Sequence, residues 1–118
     1  MSFVRRASER TVEDKSAVKG GPGHAVNVKI LDTDGELYGK GRLFNEITLE
    51  KGCGVGYHIH EGDGETYLML SGECEYNDNG AVTTIRAGDV TFTGSGEGHA
   101  IINHRDEPAK FIALILYK

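Results

Sequence analysis

The sequence predicts an all-β protein, and three observations carry that prediction. Short runs in which apolar and polar residues alternate recur at roughly ten-residue spacing, as in a β-sandwich or barrel. Seventeen glycines against two prolines, with no tryptophan, supply the tight turns that join short strands. No window sustains the 3.6-residue apolar period of a long helix.

Taken in order, residues 1–23 are polar and weakly patterned and are expected to form an N-terminal arm with one short strand, closed by Gly20, Gly21, Pro22 and Gly23. Residues 24–118 then form the barrel, and the whole chain of 118 residues is expected to be a single domain with one core. Ala25 to Leu31 alternates and meets the turn Asp32-Thr33-Asp34-Gly35, a strand followed by a reversal. Further strands are expected near 41–50, 55–60, 65–70, 73–77, 81–86, 90–93, 99–103 and 109–117. No repeat, low-complexity stretch or linker interrupts them.

Faces follow from parity, because successive side chains of a strand point to opposite sides. His58 and His60 share a face with Gly56, while Tyr57 and Ile59 point away. Glu65, Tyr67 and Met69 share the inner face of the next strand, which makes Tyr67 and Met69 candidate cavity walls. Leu43, Ile47 and Leu49 fix the inner face of 41–50, so Asn45 falls inward and needs either a backbone partner or the cavity. Gly52, Gly54 and Gly56 permit bends and close approach of other groups.

The chemistry concentrates between Gly52 and Glu65. Two histidines one residue apart on a strand lie about 6.5 Å apart on one side, so both imidazoles can reach one ion at bonds of about 2.0–2.1 Å. The turn Glu61-Gly62-Asp63-Gly64 can fold the next strand back so that Glu65 adds an oxygen. His99, in the glycine-rich segment 94–99, is the best placed of the remaining histidines to be the fourth ligand. His24 has no spacing relation to this set and His104 has the opposite parity to His99, so both read as surface residues. Cys53 reads as packing rather than as a soft ligand, and Glu61 and Asp63 read as an exposed hairpin tip.

These residues resemble the cupin family, whose first motif is G, five residues, HxH, three or four residues, E, six residues, G; Gly52, His58, His60, Glu65 and Gly72 satisfy every position. The second motif, G, five residues, P, one residue, G, two residues, H, three residues, N, falls on Gly88, Gly94, Gly96, His99 and Asn103. It departs once, at Gly94, where the family usually has proline and a preset φ. The resemblance covers residues 52–103 and implies a cupin double-stranded β-helix, a jelly-roll β-barrel. It also implies a divalent transition metal, with Mn, Fe, Ni, Co and Zn all suited to three imidazoles and a carboxylate.

Such a centre would carry a net charge of about +1 and favour a small anionic or sugar-like ligand with adjacent oxygens: a keto, hydroxy or uronic acid, oxalate or an enediolate. Lewis-acid isomerisation, epimerisation or elimination on a small sugar acid or oxo acid is the leading expectation, with Tyr67 as the parity-consistent proton donor. An iron-dependent dioxygenase and a non-catalytic small-ligand module are the alternatives.

A formal charge of −5 and a pI near 5.5 argue against nucleic acid and anionic membranes as partners, which need a basic face. The N-terminus lacks the apolar stretch of a signal peptide and no run approaches the ~20 residues of a membrane span, so a cytoplasmic protein is expected. Cys53 and Cys74 are then free thiols. Residues 66–70 and 111–117 are apolar on both faces, whereas a barrel buries one, so a homodimer is expected, with residues 3–12 available to cross to the neighbour.

Overall fold

The computed structural model describes residues 1–118 and is built of antiparallel strands with two short 3₁₀ turns, Ala7–Glu9 and Val18–Gly20. The strands are β1 (Val12–Ser16), β2 (His24–Lys29), β3 (Gly41–Leu49), β4 (Gly54–Ile59) and β5 (Asp63–Ser71). They continue as β6 (Glu73–Asp78), β7 (Ala81–Arg86), β8 (Val90–Thr93), β9 (Gly98–Ile102) and β10 (Ala109–Tyr117). The bounds expected from alternation fall within a few residues of these. No helix is long and apolar enough to cross a membrane.

Two sheets face each other. One has the order β1-β2-β3-β10-β5-β8 and the other β4-β9-β6-β7, with β10 seated between β3 and β5. Their facing sides bury Leu49, Met69, Cys74, Ile101 and Phe111, each at most 2% exposed. Burying a side chain of that size stabilises by about 1.5–3 kcal/mol, so these residues hold the sheets together. Cys53 and Cys74 are both free and buried, and burial pushes the Cys74 thiol up to about 11, with the charge of Glu73 adding to it.

The arm contains the expected short strand, since β1 pairs along β2 from Val12↔Val28 to Ser16↔His24. After it the chain passes through Ala17 and Lys19, both left-handed at φ 50° and 52°, a conformation that costs non-glycine residues about 1 kcal/mol or more. This turn lies so close on β4 that a Cβ at Gly56 would strike the Lys19 carbonyl, and one at Gly21 would come 2.6 Å from the Gly56 nitrogen. Close approach is what the glycines at 54 and 56 allow.

Register shifts interrupt three of the ladders; one, at the end of β5, leaves Leu70 without a partner in β10, and the other two modify the parity near the histidines. In β3, Leu43 pairs with Ile115 and Gly41 with Leu116, so Arg42 is an extra residue with no partner in β10. In β4, Val55 pairs with Ile101 and His58 with His99, which also leaves one residue over. Alternation therefore holds from Tyr57 to His60 but breaks at Gly56. Gly56 faces the Val18–Gly20 turn, and Val55, 7% exposed, takes the inward place expected for it.

Candidate metal centre

His58 and His99 come from neighbouring strands of one sheet, as a directly paired residue couple in β4 and β9. His60 follows β4, where its backbone N–H donates to the Glu97 carbonyl at 2.9 Å and its carbonyl accepts from Gly96 at 2.6 Å. Gly62, at φ 76°, then turns the chain into β5 of the facing sheet, which brings in Glu65. The four residues close the gap between the sheets, and all but His58 are fully buried.

Their ligand atoms lie within 4.8 Å of one another. His99 Nε2 is 3.1 Å from His60 Nε2 and 3.2 Å from His58 Nε2. Glu65 Oε1 stands 3.0 Å from His99 Nε2, 3.2 Å from His60 Nε2 and 3.9 Å from His58 Nε2. Two donors bound at about 2.1 Å to one ion are about 3.0 Å apart at a right angle and about 3.4 Å apart at a tetrahedral angle, so the spacing fits a single cation.

The opposite edge of each ring is engaged as well. His58 Nδ1–H donates to the Gly56 carbonyl at 2.8 Å, and His60 Nδ1 lies 2.7 Å from Asp63 Oδ1. His99 Nδ1 is 2.8 Å from Tyr76 Oη, which is in turn 3.0 Å from Thr93 Oγ1. With Nδ1 carrying the proton, each Nε2 lone pair is left for an ion, and the ring orientation is fixed by its partner. Four groups of this kind could hold a divalent transition metal.

The electrostatics agree. Burial would raise the Glu65 carboxyl, but hydrogen bonds from His58, His60 and His99 hold it well below the ordinary carboxylate range. The His60 imidazole is raised by its hydrogen bond to Glu65, with Asp63 adding to this against the effect of burial. Burial lowers His99, and the neighbouring His58 and His60 lower it further against the pull of Glu65. His60 sits between two carboxylates, with Glu65 on one edge of its ring and Asp63 on the other.

One expectation is corrected here. Asp63 is not part of an exposed hairpin tip: it is 6% exposed, and its second oxygen accepts from Arg42 Nε at 2.7 Å. Burial alone would raise its carboxyl, but the bonds to Arg42 and His60 hold it below the usual value. Its position three residues after His60 was the available signal. Glu61 is exposed as expected.

Tyr67 lies in the wall beside the cluster, its ring stacked on His99 with centroids 5.0 Å apart. Burial and the charge of Glu65 push its phenol well above the ordinary value. Met69 instead enters the closed core opposite Phe111. Asn45 finds neither of its expected partners; its Nδ2 donates to Asn27 Oδ1 at 2.9 Å, and it is Asn27 that reaches the cavity. Gly94, where proline was expected, donates its N–H to Glu97 Oε1 at 2.9 Å, a bond proline cannot make. His24 pairs with Asp14 at 2.7 Å and exposed His104 lies 3.6 Å from Glu75, both away from the cluster.

Beside the cluster lies a cavity of about 150 Å³. Its floor has His58, Glu65 and Tyr67, and its rim has Lys15, Lys19 and Arg42. A larger groove, about 470 Å³, lies on the outer face of β5, β8 and β10 between Phe92, Leu114 and Leu116; it holds none of the four clustered residues. The smaller cavity is the one that meets the cluster, at His58 and Glu65.

Comparison with known proteins follows the same lines. Residues 45–115 match the family model described as a cupin domain. An oxalate-binding protein of Thermotoga maritima is 42% identical over 114 residues, 97% of this chain and 93% of that protein. A crystal structure from Thermotoga maritima, described as a predicted oxalate decarboxylase, superposes with a TM-score of 0.92 at 40% identity, covering 98% of this chain and 100% of that one. KdgF from Halomonas sp. shares the fold at a TM-score of 0.74 and 14% identity, over 100% of this chain and 96% of its own. The paired sheets, the HxH turn into Glu65 and the residues matched from 45 to 115 place the chain in the cupin family.

Proposed function

We propose that this protein binds a divalent transition metal through His58, His60, Glu65 and His99 and, at that metal, a small chelating carboxylate of the oxalate class. The observation that carries this reading is the meeting of the four-residue cluster with a cavity whose rim is cationic. A cavity of about 150 Å³ beside the cluster has room for a two- or three-carbon acid. The 42% identical oxalate-binding protein supports the same ligand class.

A metal held there would act as a Lewis acid towards the ligand's oxygens. Lys15, Lys19 and Arg42 draw the anion in and Tyr67 hydrogen-bonds it. The raised phenol keeps its proton through physiological pH, so Tyr67 serves as a donor and not as a base. That leaves decarboxylation, in which carbon dioxide departs and the carbanion left behind takes up a proton, better served than epimerisation or elimination, both of which need a proton removed from carbon.

The test begins with chelator-stripped protein reloaded with Mn, Fe, Co, Ni or Zn and titrated calorimetrically with oxalate. Metal-dependent heat in the wild type, lost in His58→Ala and His99→Ala along with metal content, is expected; full occupancy in both variants would overturn the ligand assignment. Turnover only with Fe and oxygen would select the dioxygenase reading, and tight binding without turnover for any metal the binding module.

The homodimer belongs to this reading too. Phe92 and Val90, 67% and 64% exposed, lie with Leu70, Leu114 and Leu116 on the outer face of β5, β8 and β10, a patch that a second copy would cover.

A further inference from the structure

The structure assigns Arg42 as the residue that selects a doubly charged ligand over a singly charged one; this rests on the small-carboxylate reading above. Parity gives the first part of the argument. Leu43, Asn45 and Ile47 face the interior of β3, so in a regular strand Arg42 would point outward. The bulge at Arg42 breaks the alternation, and the side chain joins Leu43 in lining the cavity with His58 and Glu65.

Its anchoring gives the second. Arg42 Nε donates to Asp63 Oδ2 at 2.7 Å, and this is the only hydrogen bond the guanidinium makes to the protein. Both Nη groups are therefore left to donate, in the fork geometry that matches a carboxylate. Asp63, only 8% exposed at its side chain, holds the guanidinium in one place, so little rotamer freedom remains to be lost when a ligand binds. Lys15 and Lys19 also face the cavity but offer flexible point charges.

A ligand whose first carboxylate occupies the metal end thus meets a preset fork for its second. A ligand with a hydroxymethyl group there has no charge to offer the fork. Oxalate and glycolate are of nearly equal size and present a carboxylate and a neutral hydroxymethyl group there; because they also chelate the metal differently, it is the change in their ratio on altering Arg42 that isolates the fork.

The experiment is calorimetric titration of cobalt(II)-loaded protein with sodium oxalate and with sodium glycolate, cobalt content and its visible spectrum serving as the check on the metal site. Wild type is expected to bind oxalate at least about tenfold more tightly, the scale of a charge-assisted hydrogen-bond pair. Arg42→Gln should lose at least about tenfold on oxalate and less than about threefold on glycolate, with the cobalt spectrum unchanged. Arg42→Lys, which keeps the charge without the fork, should fall between and serves if the glutamine variant does not fold. Equal losses on both ligands, no loss on either, or a change in cobalt content that accounts for the loss would overturn the assignment. Wild type that binds cobalt but neither acid would refute the parent reading, and this assignment with it; wild type that binds both acids alike would refute the Arg42 assignment alone.

Discussion

Asp63 Oδ1 lies 2.7 Å from His60 Nδ1, an almost wholly buried contact that joins the first residue of β5 to the ring just before it. A carboxylate there fixes the tautomer and raises the basicity of the nitrogen on the far side of the ring. Asp63→Ala is expected to weaken metal binding roughly 10–100-fold without removing any of the four cluster residues. Competition against a chelating dye measures this. Unchanged affinity would mean that Asp63 serves Arg42 only.

The metal's effect on stability should depend on pH. Coordinated imidazoles must be neutral, so a bound metal depresses the histidine pKa values, and its stabilisation is present above about 6.5 and lost as pH falls. In the metal-free protein His60 is raised, so its contribution is present below its unfolded value and lost as pH rises through the folded one. Both effects shrink the difference between the two forms in acid. Glu65, held low, stabilises above the ordinary carboxylate value of 4.5 and loses this only in stronger acid, as pH falls through its folded value. Thermal melts should show a clear rise on adding metal at pH 7.5 and a much smaller one at pH 5. Equal rises would exclude histidine ligation as the link between metal and fold.

The outer apolar face should hold two copies together. Light scattering at micromolar concentration is expected to give twice the chain mass, and Leu114→Glu, which places a charge in the middle of that face, should give the monomer. A monomeric wild type would contradict the dimer.

Gly56→Ala tests how closely the Val18–Gly20 turn sits on β4. The added methyl would meet the Lys19 carbonyl, so the backbone must shift, at a cost of about 1–3 kcal/mol. For a chain of this length that lowers the melting temperature by several degrees, on the order of 4 °C per kcal/mol. Metal affinity should fall as well, because the Gly56 carbonyl orients His58. A melt indistinguishable from wild type would show that the turn moves freely.

Much of the site could be read from the chain because its geometry is local. His58, His60 and Glu65 lie within eight residues on two strands joined by a turn, where period-two alternation and a glycine reversal determine direction. His99 needed its motif. What stayed hidden depends on bulges and on distant partners. No alternation rule reveals that Arg42 is unpaired in β3 or that Val55 turns inward, since an extra residue leaves no compositional mark. Tyr76 belongs to no motif, and only the placing of β6 against β9 sets its hydroxyl on His99. Asp63 was misread because a carboxylate in a Gly-rich turn is usually solvated, and its burial arises from a cation 21 residues earlier.

The seat of β10 between β3 and β5 bears on how the chain is made. Residues 109–117 are the last of the ten strands to leave the ribosome, and until they do β3 and β5 each expose an unpaired edge. The cavity wall is incomplete for as long, since Ile115 belongs to it and Glu65 stands opposite Ile115 in the register. Closure of the larger sheet, and with it assembly of the cluster, thus waits for β10 and joins segments far apart in sequence, the slow kind of contact to form. Nascent chains halted short of Ala109 would be expected to remain protease-sensitive and unable to retain metal, however long they are given.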